Sequence, residues 1–219
     1  MPVTRRQFLF VLSSIAFLRG SLTDARADYS ETIAALKRAY TNEIQAYLNY
    51  LAFADKAKTE SYPGLAHFFV SFATSESVHA RNFKVVLSGL GIHGWEPPKP
   101  EIKVFSSKVN LRNALDFEIE DIDHRYSQIY KESKPENHEA AIRSILHAWE
   151  SEKQHRDLIE KMQSGTGIFF GLLTRKLEAA SAQVFICHTC GSTRVKLPED
   201  RCPICNHPVS AYKEVARSG

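Results

Sequence analysis

The sequence predicts an all-α protein: a four-helix bundle followed by a small C-terminal domain built on four cysteines. Three observations predict it. Glu76-Ser77-Val78-His79 recurs as Glu152-Lys153-Gln154-His155, and residues three apart on a helix share a face, so each copy aims a carboxylate and an imidazole at one point. Four long segments carry apolar residues at steps of three and four, the signature of helices with one buried face. All four cysteines lie from Cys187 onward, as two Cys-x-x-Cys pairs. A chain of 219 residues with 43% hydrophobic composition is long enough for one sizeable core and a small appendage.

The first residues read as an address. Thr4-Arg5-Arg6-Gln7-Phe8-Leu9 sets paired arginines before an apolar run, Phe8 to Leu18, that falls short of a bilayer span. Ala25-Arg26-Ala27 supplies a small-x-small cleavage pattern. Residues 1–27 are therefore expected to be a signal peptide resembling the twin-arginine type, which delivers a folded protein to the periplasm; an uncleaved membrane anchor is the lesser alternative. The chain carries 28 Lys+Arg against 25 Asp+Glu, and removing Arg5, Arg6, Arg19, Arg26 and Asp24 with the leader makes the mature protein formally neutral. No basic excess is left to attract nucleic acid or anionic lipid.

Residues 28–163 are expected to hold the bundle. The first helix runs from about Ser30, read as its N-cap with Glu31 behind it, to near Lys58, before the turn Ser61-Tyr62-Pro63-Gly64. The second starts close to Leu65 and ends at Gly89 or Gly91. A long connection from Ile92 to Lys108, with Pro97, Pro98 and Pro100, permits a crossover to a parallel neighbour. The third helix opens near Asn110 and ends before Pro135, and the fourth spans roughly Asn137 to Gln163. Residues 164–183 read as a linker whose apolar patch, Ile168 to Leu173, is too short to anchor the chain in a membrane. Residues 184–219 form the four-cysteine domain.

Acids interrupt every apolar stripe. Leu65, Phe69 and Phe72 lead into Glu76 and His79, and Phe83, Val86 and Leu90 follow; Ile142, Ile145 and Trp149 lead into Glu152 and His155, with Ile159 and Met162 after them. The first helix has Glu43 in line with Ile33, Leu36, Tyr40, Tyr47, Tyr50 and Ala54. In the third, Glu118 lies in line with Leu111, Leu115, Ile122, Tyr126 and Ile129, and Asp121 is one helical step away on the same side. An unpaired carboxylate in a core costs several kcal/mol, roughly, and a metal cation removes that cost. One Glu from each of two helices plus Glu-x-x-His from each of the other two is the ligand set of ferritin-like carboxylate-bridged di-metal bundles.

Cys187-His188-Thr189-Cys190 and Cys202-Pro203-Ile204-Cys205 pair their thiols on tight knuckles, with Gly191 and Pro203 as turn residues. That spacing fits one tetrahedral zinc or iron ion, and favours it over two disulfides. Spacing does not separate zinc from iron.

A carboxylate and histidine bundle followed by a four-cysteine domain resembles rubrerythrin over nearly all of the mature chain. The resemblance implies a ferritin-like fold with a rubredoxin-like C-terminal domain, a di-iron centre, and one further iron in the four-cysteine site. It places the iron ligands on Glu43, Glu76, His79, Glu118, Glu152 and His155. The family's additional carboxylate falls on Asp121, where this chain has Asp in place of the usual glutamate, one methylene shorter. Tyr50 and Tyr126 match the family's tyrosines that hydrogen-bond to ligands. Asn206 replaces the glycine usual after the last cysteine, at a position where left-handed backbone is common and Asn is the next-best tenant.

The resemblance further implies a peroxidase that reduces hydrogen peroxide to water and protects against oxidative stress. Electrons would pass in through the rubredoxin-type iron from an electron-donor protein or reductase. It also implies a homodimer, with the four-cysteine site of one subunit near the di-iron site of the other. Imidazole and carboxylate ligands with an open position suit ferrous iron and oxygen chemistry, and carboxylate-rich sites accept manganese as well. The rival reading is a ferroxidase or iron-storage protein using the same di-metal site; another takes the four-cysteine unit as a structural zinc ribbon.

Overall fold

The computed structural model describes residues 28–164 and 183–217. The expected leader, residues 1–27, and the stretch 165–182, which holds nearly all of the expected linker, lie outside the described residues. Helix α1 spans Ser30–Thr59 and α2 Pro63–Gly89. After a long connection comes α3, Ser107–Glu120, which continues through one π-helical turn, Asp121–Arg125, into α4, Tyr126–Ser133. A short 3-10 turn, Lys134–Glu136, leads to α5, Glu139–Ser164. Helix α1 packs on α2 and α4, and α5 packs on α2, α3 and α4, which is the short, long, short connection order of a crossover bundle. No described helix is long and apolar enough to cross a membrane.

The helix ends differ from the sequence reading in instructive ways. Ser30 is the first helical residue and not a cap. Its amide donates to Asp28 Oδ1 at 3.1 Å, and the amides of Glu31 and Thr32 donate to the Glu136 carboxylate at 3.0 and 2.8 Å. A carboxylate delivered from over a hundred residues away thus satisfies two orphan donors and the positive end of the helix dipole. Pro63 and Gly64 belong to α2, with Pro63 in its first turn, where a missing N–H costs nothing and the fixed φ helps. Gly91, at φ +86°, turns the chain out of α2.

The π-helical turn has no counterpart in the sequence reading. It inserts one residue into the helix that carries Glu118 and leaves its backbone less well paired. Trp149 of α5 compensates by donating its indole N–H to the Ile122 carbonyl at 3.0 Å.

Two apolar clusters divide the bundle. One gathers Tyr50, Phe53, Phe69, Phe72, Leu111 and Ile159; the other gathers Leu36, Tyr40, Phe83, Ile129 and Ile145. The acids sit in the layer between them. The C-terminal domain adds a three-stranded antiparallel sheet ordered β2-β1-β3, with β1 Phe185–Cys187, β2 Thr193–Arg194 and β3 Tyr212–Glu214. Val184 and Ile186 are fully buried and join the first cluster of the bundle, so the small domain docks by sharing the large domain's core.

Candidate metal centre

Six side chains predicted as ligands converge. Glu43, Glu76, His79 and Glu152 form one group and Glu76, Glu118, Glu152 and His155 a second, the ligand atoms of each lying within 4.8 Å of one another. Glu76 and Glu152 belong to both groups and are placed to bridge; Glu43 with His79, and Glu118 with His155, are terminal. The symmetry follows from the repeated Glu-x-x-His on α2 and α5, faced by single glutamates on α1 and α3.

Both imidazoles enter through Nδ1. His79 Nδ1 lies 2.9 Å from Glu76 Oε2, 3.0 Å from Glu152 Oε1 and 3.3 Å from Glu43 Oε2. His155 Nδ1 lies 3.0 Å from Glu152 Oε2, 3.2 Å from Glu76 Oε1 and 3.6 Å from Glu118 Oε1. No ligand is more than 4% exposed.

The charges are resolved poorly without a cation. Burial, reinforced by the neighbouring Glu152 charge, pushes Glu43 and Glu118 well above the usual carboxylate range. Burial opposes ionisation of Glu152 and Glu76 too, yet the two imidazoles outweigh it and hold both low. Burial also disfavours charged His79 and His155, and the surrounding carboxylates overcome it and raise both. Glu118 Oε2 has no hydrogen-bond or ion-pair partner among the described residues. Four carboxylates and two Nδ1 atoms around two points fit two divalent irons, which would replace protons that this cluster holds at high cost.

Tyr50 donates its hydroxyl to Glu118 Oε1, and Tyr126 donates to Glu43 Oε1. Each therefore orients one terminal carboxylate, as the resemblance implies. Asp121 belongs to neither ligand group. It starts the π-helical turn, and its Oδ1 accepts from Arg125 Nη1 at 2.8 Å; burial, against the pull of Arg125, lifts its carboxyl to about 7.

The four thiols form a second cluster. All Sγ atoms lie within 4.8 Å of one another, with Cys187 to Cys205 at 3.7 Å and Cys190 to Cys202 at 3.5 Å. These are close to the edges, roughly 3.8 Å, of a tetrahedron with about 2.3 Å metal–sulfur bonds. None of the four is in a disulfide. Contact with the Cys187 and Cys190 thiols pulls Cys202 down, and burial lifts Cys205 to about 12. Tyr212 donates its hydroxyl to Cys202 Sγ at 3.2 Å. Gly191 at φ +84° and Asn206 at φ +58° occupy matching left-handed positions after the two knuckles.

The sequence reading missed the residues that join the two centres. Ser75 Oγ donates to the Gly191 carbonyl at 2.6 Å, and His155 Nε2 meets Thr193 Oγ1 at 2.9 Å. Gln154 Oε1 accepts from Ser192 Oγ at 2.9 Å and from the Thr193 amide at 3.0 Å. Asn82 Nδ2 donates to the Thr189 carbonyl at 2.8 Å, and Arg81 donates to that of His188. The first knuckle therefore rests on the outer edges of both ligand histidines, within one chain. The available signal was the serine before each Glu-x-x-His, Ser75 and Ser151, both fully buried.

A family model described as Rubrerythrin matches residues 34–163. The chain is 30% identical to rubrerythrin of Porphyromonas gingivalis, with 84% of this chain and 90% of that protein covered. It is 28% identical to rubrerythrin-2 of Clostridium acetobutylicum, covering 78% and 89%. Among solved structures, nigerythrin in its fully reduced, all-ferrous state matches with a TM-score of 0.72 at 21% identity, covering 89% of this chain and 91% of that one. A bacterioferritin of Desulfovibrio desulfuricans matches with a TM-score of 0.61 at 22% identity, covering 69% and 86%. With its paired Glu-x-x-His helices and its four-cysteine site, the chain belongs to the rubrerythrin family.

Proposed function

We propose that the chain is a peroxidase that reduces hydrogen peroxide to water, fed with electrons through the four-cysteine site. One observation carries the reading: the first cysteine knuckle touches both ligand histidines, Gly191 against His79 and Thr193 against His155. Four thiolates leave an iron no open position, so such a site transfers electrons and does not bind substrate. Storing iron calls for no electron carrier at that point, which favours the peroxidase over the ferroxidase reading. Two irons held there by Glu43, Glu76, His79, Glu118, Glu152 and His155 would supply the two electrons that cleavage of the oxygen–oxygen bond consumes, and two protons would complete two waters.

The chain's own residues hold and shield that chemistry. Tyr50 and Tyr126 keep their protons, because burial first and the adjacent carboxylate second push both hydroxyls well up. They therefore steer Glu118 and Glu43 as fixed hydrogen-bond donors. Fully buried Phe69, Phe72 and Phe83 line the apolar clusters on either side and keep bulk water from the acids. Asp121 lies outside the ligand groups, and burial lifts its carboxyl to about 7 in the metal-free chain, so it is an acid able to exchange a proton beside the site.

The deciding experiment mixes reduced protein with hydrogen peroxide and, separately, with dioxygen in a stopped-flow instrument. A peroxidase reacts much faster with peroxide. Faster reaction with dioxygen, or a ferric mineral under excess ferrous iron, would establish the storage reading instead. Metal analysis with a visible spectrum separates iron from zinc in the thiolate site and iron from manganese in the bundle. The proposal includes a separate electron-donor protein, a periplasmic location and a homodimer, although the contact between the two metal sites, which the resemblance implies lies between subunits, is made here within one chain.

A further inference from the structure

We propose that Thr193, a residue of the four-cysteine domain, is a positioning residue for one of the two bundle metals: it holds His155 with Nε2 as hydrogen-bond donor, leaving Nδ1 as the ligand nitrogen. The inference rests on the di-metal reading of the bundle and is independent of the peroxidase reading. Thr193 is 2% exposed, and its Oγ1 stands 3.1 Å from the Gly191 carbonyl oxygen and 2.9 Å from His155 Nε2. A hydroxyl has one hydrogen, and a carbonyl oxygen only accepts. The hydrogen therefore goes to Gly191, and Oγ1 offers His155 a lone pair. Nε2 must then carry a hydrogen.

Thr193 is itself held from three directions. Its amide donates to Gln154 Oε1 at 3.0 Å, one residue before His155 on α5. Its backbone is in register with Ile186 of β1. The carbonyl it donates to is fixed in turn by Ser75 Oγ at 2.6 Å. The hydroxyl thus occupies a rigid position, and the imidazole follows it.

His79 has no such partner. Its Nε2 makes no hydrogen bond among the described residues, and the α-carbon of Gly191 packs against it instead. The two metal positions, alike in their inner ligands, therefore differ in outer support. Partners of this kind set ring orientation and basicity, and losing one typically weakens metal binding ten- to a hundred-fold, roughly. Because the partner comes from the other domain, docking of that domain and metal binding at the His155 position favour each other by the same factor.

The test uses the full chain with its four-cysteine site loaded and zinc as a diamagnetic probe of the bundle. In Thr193→Val one bundle equivalent is expected to weaken by roughly ten- to a hundred-fold while the other holds. Thr193→Ser, which keeps the hydroxyl, should restore most of it. The His155 Nε2 proton, read by proton–nitrogen NMR, should be slow to exchange in the parent and in Thr193→Ser, and lost to exchange in Thr193→Val. Unchanged affinity at both positions would overturn the proposal. So would equal weakening of both, or a retained Nε2 proton in Thr193→Val, since general undocking or mere packing would then account for the residue.

Discussion

Gly191 is the contact on which the two domains close, and replacing it separates backbone strain from steric exclusion. A Cβ at this position would lie 2.1 Å from His79 Nε2, 2.6 Å from His79 Cδ2 and 3.0 Å from Ser75 Oγ, against the 3.5–4.0 Å or so of ordinary contact. The ring cannot retreat, because its Nδ1 is held among Glu76, Glu152 and Glu43. The domain must move instead. Overpacking of this kind costs about 1–3 kcal/mol, a loss of roughly five- to 150-fold in the docked population. Asn is the informative replacement, since Asn206 already adopts φ +58° at the matching place on the other knuckle and tolerates left-handed backbone. Gly191→Asn should therefore keep its four-cysteine site loaded and coloured, yet oxidise that site slowly when peroxide is added to the fully reduced protein. Asn206→Gly, the control, should behave as the parent. Stopped-flow absorbance at the thiolate charge-transfer band reads both. An unchanged rate in Gly191→Asn would refute the argument that electrons enter across this contact.

Glu152→Ala removes a carboxylate shared by both ligand groups, so iron in the bundle should fall by at least one equivalent per chain while the thiolate site stays filled; iron analysis beside the visible band decides it. Asp121→Asn tests the acid outside the ligand groups. Its folded pKa, about 7, exceeds the unfolded 3.8, so the folded metal-free chain keeps a proton that the unfolded chain releases, and stability falls as pH rises from about 4 to 7. The variant should lose that part of the fall and be more stable than the parent above pH 7, by roughly a few kcal/mol in the metal-free chain, the pull of Arg125 being already contained in the raised value; identical melting profiles at pH 5 and 8 would remove Asp121 from the account. Arg5→Lys with Arg6→Lys should trap a folded, metal-loaded precursor in the cytoplasm, still carrying Met1 to Ala27; a cut product in the periplasm, found by fractionation and N-terminal mass analysis, would reduce the paired arginines to ordinary charges.

The ligands were legible because burying a carboxylate is costly enough to leave a mark at helical spacing. Glu43, Glu76, Glu118 and Glu152 all stand where an apolar residue was due, and all are buried. Asp121 shows where spacing fails. It is one step from Glu118 on an ideal helix, but the π-helical turn begins at that residue and Arg125 pairs with it. The only trace in the sequence is two successive steps of four, Glu118 to Ile122 to Tyr126. The three short strands left no trace, since strands of two or three residues carry no periodicity, and of the contact between domains only the serine before each Glu-x-x-His was visible, because long-range hydrogen bonds such as His155 to Thr193 depend on tertiary placement.

The serine before each Glu-x-x-His explains how one layer serves both domains. Ser75 and Ser151 are fully buried with their hydroxyl oxygens 3.4 Å apart, so α2 and α5 meet there through two small side chains. That approach lets Glu76 and Glu152 each reach both metal positions. A larger residue at either place would push the helices apart and leave each carboxylate serving only its own side. Ser75 also faces outward far enough to hold the Gly191 carbonyl, to which Thr193 donates as it accepts from His155. The close approach that lets the carboxylates bridge is therefore the same one that seats the cysteine knuckle, and a change at Ser75 should disturb metal bridging and domain docking together.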